Sequence, residues 1–342
     1  MRTAPACQLP QLAPRRRLCY NASLMNEHVL AIDIGGTNVK AGLVDRAGTV
    51  SHLIHTPSRA AEGRDALLSV LQDVIRQQTA HGRIVAVGCG SPGAVDHHNG
   101  RITYMQAHIP GWTGVPLAQH LSAWAGVPAT IDNDVNLIAL GENWLGAGRG
   151  ARCQISLALG TGLGGGVVMN GRLFRGAHGR AAECGHIIVR PGGEPCTCGN
   201  FGCAEVYAAP GAMARRAQWY LKCGVPSALR SARRVSAEEI FALAAQGDHL
   251  CRKLCKDAVS SFASLIWILT QAFDPDVFVI GGGLIKAGDA FMQPLQEELS
   301  AFYGAPELQP LVTLKFSALG DSAGIVGAAK LAWNWLDGTD RS

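Results

Sequence analysis

The sequence is short of everything a membrane protein needs. Its apolar runs stop early, as at Phe278-Val279-Ile280 before three glycines, far below the ~20 residues that span a bilayer. Charge is scarce as well, 16% of residues with a formal net of +4, and no clustered basic face suggests a nucleic-acid partner. No glycine loop ends in the helix-opening Gly-Lys-Ser/Thr of a Walker phosphate site, and the dinucleotide fingerprint is missing too. Low-complexity linkers are absent. What remains is a 342-residue chain, 48% apolar and longer than one core usually supports, so two domains are expected.

Residues Met1 to Leu24 carry Pro5, Pro10, Pro14 and the run Arg15-Arg16-Arg17 without a periodic apolar pattern. The charges precede no apolar segment, so this is not a secretory signal. It reads either as a basic arm or, the preferred reading, as a disordered extension upstream of a start at Met25. Eleven cysteines in a short secreted chain would mean a disulfide framework. Here three of them, Cys196, Cys198 and Cys203, bunch within eight residues, which fits metal binding in a reducing, cytosolic setting.

Val29 to Ile34 reads as a buried strand, followed by a glycine turn, a strand from Val39 to Val44, and a third from Thr49 to His55. This start is antiparallel. Leu67, Leu68, Leu71, Val74 and Ile75 fall at helical spacing. Ile84 to Val87 is a strand, and a short helix near Leu117 leads to the strand Ala129–Ile131 and a helix around Leu137 to Trp144. Ile155 to Leu159, the turn Gly160 to Gly166 and Val167 to Met169 repeat the opening strand–glycine–strand pattern, a hint of duplication. A long helical region from Ala237 to Phe273, a strand at Val277–Ile280 and a closing helix from Ala323 to Trp335 complete the chain.

Three glycine turns follow strands. In Asp33-Ile34-Gly35-Gly36-Thr37-Asn38 the glycines are free to take positive φ and let backbone N–H groups approach a phosphate. Asp33 is placed to hold Mg²⁺ through water, and Thr37 and Asn38 to bond phosphate oxygens. An ordinary glycine hairpin needs no ligand and reads the same. Gly160-Thr161-Gly162-Leu163-Gly164-Gly165-Gly166 has more glycine than a hairpin requires, and Gly281-Gly282-Gly283 offers a bare backbone to a flat base. Together the three argue for a nucleotide in a cleft between two lobes.

Asp132-Asn133-Asp134 stands where a strand gives way to a helix. An acidic residue there serves as a helix cap or, facing a phosphate cleft, as a general base for a sugar hydroxyl. Both readings stay open. The segment Glu183-Cys184-Gly185-His186, with Cys196, Cys198 and Cys203, supplies a Cys₃His set, closed and therefore structural. Glu183 and Glu205 flank it. The bland reading is three free thiols beside a core histidine.

These motifs, in this order, resemble the ROK family of bacterial sugar kinases and sugar-responsive repressors, over about Val29 to Trp335. The resemblance implies an α/β, two-lobed actin/hexokinase-like (ribonuclease H-like) ATPase fold. Residues 1–25 would stand outside it, 26–134 and 135–319 would form the two lobes, and a closing helix over about 320–337 would return to the first. It also implies ATP with Mg²⁺, a structural Zn²⁺ on His186, Cys196, Cys198 and Cys203, and a hexose, glucose first. N-acetylmannosamine, N-acetylglucosamine, fructose and allose are the alternatives. Asp134 would be the catalytic base, and Asn133, Glu183, His186 and Glu205 would contact the sugar. Asp33, Gly35, Gly36, Thr37, Asn38, Gly160, Thr161, Gly162 and Gly164 would hold phosphates, with Gly281, Gly282 and Gly283 along the adenine. Members are commonly dimers or tetramers. Repressors of the family add an N-terminal helix-turn-helix, for which the proline-broken residues before the first strand leave no room. Two departures stand out: Ala182 where the family has glycine, and His108 where glucokinase-like members carry asparagine.

Overall fold

The structure, a computed structural model, describes residues 27–104, 109–302 and 313–339; the extension over 1–25 and His108 lie outside the described residues. Strand β1 (Glu27–Ile34) is continuously apolar from Val29 to Ile32 because both its faces are covered there. Leu30, Ile32 and Ile34 join the cluster of Leu67, Leu71 and Ile75 from helix α1 (Arg64–Gln78), whose buried stripe follows the helical repeat. Val29 and Ala31 point the other way, into a cluster with Ile325 and Ala329 of helix α9 (Ala323–Leu336).

Around β1 lie β2 (Asn38–Val44), β3 (Val50–Pro57), β4 (Arg83–Ser91) and β7 (Ala129–Asn133), in the order β3-β2-β1-β4-β7. The second sheet holds β8 (Cys153–Leu159), β9 (Leu163–Met169), β10 (Arg172–Leu173), β11 (Val277–Gly282) and β12 (Leu314–Phe316), ordered β10-β9-β8-β11-β12. In each sheet the first strand pairs antiparallel with the second and parallel with its other neighbour. The duplication hinted at by one glycine pattern is therefore a property of the whole topology. A small hairpin, β5 (Ala94–Asp96) and β6 (Arg101–Tyr104), stands apart.

Helix α2 (Leu117–Ala125) covers the first sheet beside α1. Helix α3 (Asp134–Leu145) lies on β8 and β9, α9 lies on β1 and β4, and the two helices pack on each other between the sheets. Glycines permit that approach: a Cβ on Gly141 would strike Ala323 O, and one on Gly327 would strike Leu137 O. The second sheet's outer face carries α4 (Glu205–Ala208), α5 (Pro210–Lys222), α6 (Ala237–Ala245), α7 (His249–Phe273) and α8 (Asp289–Phe302).

Two expectations need correction. The helical region from Ala237 to Phe273 is two helices, because Gly247 takes φ +101° and the Asp248 side chain caps α7, accepting from Cys251 N at 2.9 Å. The turn expected over Gly160 to Gly166 ends at Gly162, since β9 already begins at Leu163.

Candidate active site

The end of β7 and the start of α3 divide three polar residues among three tasks. Asn133 is the cap: its Oδ1 accepts from Val135 N at 2.9 Å and Asn136 N at 3.2 Å, while its Nδ2 donates to Gly93 O at 3.1 Å. Asp132 is buried and turned away, accepting from Asn133 N, Asn136 Nδ2 and, at 2.6 Å, Arg175 Nε. Asp134 is thereby released from capping the helix, its Oδ1 accepting from Val135 N at 3.0 Å. Burial, with the charge of Asp33 added, pushes its carboxyl up to about 6.

Asp33 and Asp134 face each other across Gly90: a Cβ there would sit 3.6 Å from both Asp134 Cα and Asp33 Oδ1. Burial raises the Asp33 carboxyl too, against the pull of Lys40. Asp33 lines a cleft of about 360 Å³ together with Lys40, Gly281, Gly282, Gly283 and Asp321. The structure thus brings Asp33, at the head of the first glycine segment, and the third segment to one cavity. Lys40 has its Nζ 2.9 Å from Asp321 O, at the mouth of that cleft, and is a cation that sequence reasoning passed over.

The glycines do not work as expected. Neither Gly35 nor Gly36 is left-handed; of the three turns only Gly282 is, at φ +88°. Gly35 N bonds Asn38 O at 2.9 Å, closing the turn that also contains Thr37, and Gly36 has open space where its side chain would be. Gly160 N bonds Gly162 O at 2.9 Å around Thr161. Gly162 lies directly against the Glu205 carboxylate, which accepts from Leu163 N at 3.0 Å. Gly164 sits within β9, where a Cβ would be 2.6 Å from Val135 Cγ2, and it lines the hollow beside Asn133 instead of the Asp33 cleft. Close approach, not φ freedom, explains most of this cluster.

The residues expected at the sugar are spread over three hollows. Asn133 and Glu183 share one of about 80 Å³, also lined by Val135 and Arg175. Glu183 and His186 share a second of about 320 Å³. Glu205 lines a third of about 400 Å³. Asn133 and Val135, the neighbours of Asp134 on either side, therefore face Glu183 across one space. Ala182, just before Glu183, has φ +68°, the conformation for which glycine is the natural choice.

The ligand atoms of His186, Cys196, Cys198 and Cys203 all lie within 4.8 Å of one another. Cys196 Sγ is 3.6 Å from His186 Nδ1, and Cys198 Sγ is 3.7 Å from Cys203 Sγ. A tetrahedral zinc with ~2.3 Å arms sets its sulfurs about 3.8 Å apart, so the donor set fits. Gly199 at φ +93° and Gly202 at φ +80° wind the loop that brings these groups together. With Nδ1 toward the sulfurs, Nε2 is left for a second partner.

Sequence reasoning named Asp132 only as part of the triplet and missed Arg175, Lys40 and Glu142. Glu142, near the last turn of α3, is fully buried, where carboxylates are seldom found unpaired, and no local pattern in the sequence marks it.

A family model described as the ROK family matches residues 29–334. A glucokinase of Thermotoga maritima is 33% identical over 311 residues, 89% of this chain and 96% of its own length. The ROK hexokinase of Thermus thermophilus superposes with a TM-score of 0.79 at 32% identity, covering 91% of this chain and 99% of that one. The ROK family glucokinase of Streptomyces griseus, in complex with glucose and AMPPNP, gives 0.74 at 30% identity over 90% and 99%.

Proposed function

The chain belongs to the ROK family and has its two-lobed actin/hexokinase-like ATPase fold, and from this premise we propose that it transfers the γ-phosphoryl group of ATP to the 6-hydroxyl of a hexose, glucose before the others. The observation that carries the reading is the division of labour at α3: Asn133 caps the helix, which leaves Asp134 free across Gly90 from the Asp33 cleft.

Asp134 takes the hydroxyl proton as the sugar oxygen bonds to the γ-phosphorus and the bond to the β-phosphate oxygen breaks, releasing ADP. Asn133 Nδ2 retains one hydrogen for a sugar hydroxyl, and Glu183, Glu205 and His186 Nε2 hold others. Asp33 and Lys40 stand at the phosphate end, and Gly281 to Gly283 border the adenine. Bound Mg²⁺, held near Asp33, supplies charge neutralisation, and catalysis is otherwise positioning. Gly35, Gly36, Thr37 and Asn38 on one side and Gly160, Thr161 and Gly162 on the other form the two phosphate-facing turns. Zn²⁺ on His186, Cys196, Cys198 and Cys203 braces the loop between Glu183 and Glu205. Residues 26–134 and 135–319 act as the two lobes, with α9 returning to the first, and closure excludes water. The reading includes a cytosolic setting, which keeps the thiolates reduced, and self-association as a dimer or tetramer.

The test is ADP release measured by a coupled assay across glucose, N-acetylmannosamine, N-acetylglucosamine, fructose and allose. One hexose should support turnover, and Asp134→Asn should lower it by ~10²–10⁴-fold while sugar binding persists. Silence with every sugar, or full turnover in the variant, rules the reading out.

A further inference from the structure

Glu142 lies about two turns beyond Asp134 on the same helix, fully buried. Its partners are neutral donors. Oε1 accepts from the Ser317 hydroxyl at 2.6 Å and Leu319 N at 2.9 Å, and Oε2 accepts from Ala147 N at 2.8 Å and Ala318 N at 3.2 Å. Three of these donors belong to one short segment between β12 and α9. That segment is fastened from one further side, where Ser317 N donates to Ile280 O at 2.9 Å, and is closed within itself, where Ser317 Oγ accepts from Gly320 N at 3.2 Å.

The segment is also a wall of the Asp33 cleft. Ser317, Gly320 and Asp321 line it opposite Gly281 and Gly282. Helix α3 therefore carries the proposed base at its first turn and grips the nucleotide wall near its last. We propose that Glu142 is a positioning residue for the nucleotide, fixing the 317–320 segment against the cleft and at a set distance from Asp134. This rests on the kinase reading above.

The chemistry requires a carboxylate. Each oxygen faces at least one backbone N–H, so a glutamine must turn its NH₂ toward an N–H whichever way it flips. Such a clash leaves buried donors unsatisfied and loosens the wall. The sugar-facing residues stand elsewhere, at the other end of α3 and on the metal loop, and should not register the change.

The experiment compares ADP binding and hexose binding by calorimetry, with KM for ATP and for the hexose, in wild type, Glu142→Gln and Ser317→Ala. Glu142→Gln should weaken ADP and raise the ATP KM by about 10-fold or more, with hexose values within about 2-fold. Ser317→Ala removes one hydroxyl and should move the same two quantities by about 3-fold. Unchanged nucleotide affinity, or equal loss for both ligands, overturns the inference alone. If Glu142→Gln does not fold, Ser317→Ala decides: an unmoved ATP KM overturns the inference. Wild-type protein that binds no adenine nucleotide overturns the kinase reading and this inference with it.

Discussion

Arg175 Nε donates to Asp132 Oδ2 at 2.6 Å, tying the loop after β10 of the second sheet to the end of β7 in the first. Both side chains are nearly dry, 10% and 4% exposed. The other oxygen of Asp132 is taken by Asn133 N at 2.7 Å and Asn136 Nδ2 at 2.8 Å. One carboxylate thus joins the helix that carries Asp134 to the loop that leads to Glu183.

Removing one partner of a dry ion pair leaves a buried charge and costs about 3–5 kcal/mol. Arg175→Leu should therefore lower the urea stability by ~3 kcal/mol and raise the hexose KM, because the loop before Glu183 loses its anchor. An unchanged unfolding midpoint would show that water already serves Asp132.

Ala182 offers a gain. A non-glycine residue in the left-handed region costs roughly 1–2 kcal/mol, and Ala182 sits there at φ +68°. Its carbonyl also closes a turn with Cys184 N at 2.6 Å and lies where a Cβ on Gly165 would be 2.5 Å away, so the backbone has little freedom to relax. Ala182→Gly should raise stability by about 0.5–1 kcal/mol after the added entropy of the unfolded chain. A lower melting temperature would mean that the Ala182 methyl group contributes packing.

What the sequence made legible was local. The periodicity of Leu67, Leu71, Val74 and Ile75 announced α1, and three cysteines within eight residues announced the cysteine–histidine cluster, because each signal lies within a short stretch of chain. The Asp-Asn-Asp triplet was legible as a candidate site but not as a division of labour: any of the three side chains can cap, and Asp132 is drawn off by Arg175, 43 positions away. Glu142 was hidden for the same reason, its Ser317 partner standing 175 positions along the chain. The second glycine run was expected as one turn with φ freedom, and most of it is strand instead. Gly164, Gly165 and Gly166 are small because Val135, Ala182 and Ala139 press on β9, and such contacts leave no trace in a local pattern.

The cysteine–histidine loop yields a separable prediction. Cys198 is the exposed member of its set, so serine there should be tolerated by the core around Cys196 and Cys203. Cys198→Ser should reduce bound zinc to well below one per chain at micromolar protein, read by elemental analysis. The hexose KM should rise by about 10-fold or more, since His186 and the flanking Glu183 and Glu205 lose their brace, while ADP binding is retained. Full zinc occupancy in the variant would remove Cys198 from the ligand set.

Asp134 couples activity and stability to the same proton. With its carboxyl pushed up to about 6, kcat/KM should fall about tenfold per pH unit below that value and level off above it. A raised carboxyl favours its neutral form in the fold, so this contribution to stability is complete below the ordinary carboxylate range and is lost as pH climbs through about 6. Asp134→Asn cannot ionise. The unliganded variant should match wild type near pH 4 and exceed it by roughly 3 kcal/mol near pH 8, the gap opening around the same pH at which wild-type activity rises. Asp33 adds to the rise from across Gly90, so Asp33→Asn should shrink that gap and make it level off at a lower pH. A stability difference that stays flat from pH 4 to 8 would mean that Asp134 is hydrated and titrates as an ordinary surface carboxylate, and the pH dependence of turnover would then belong to another group.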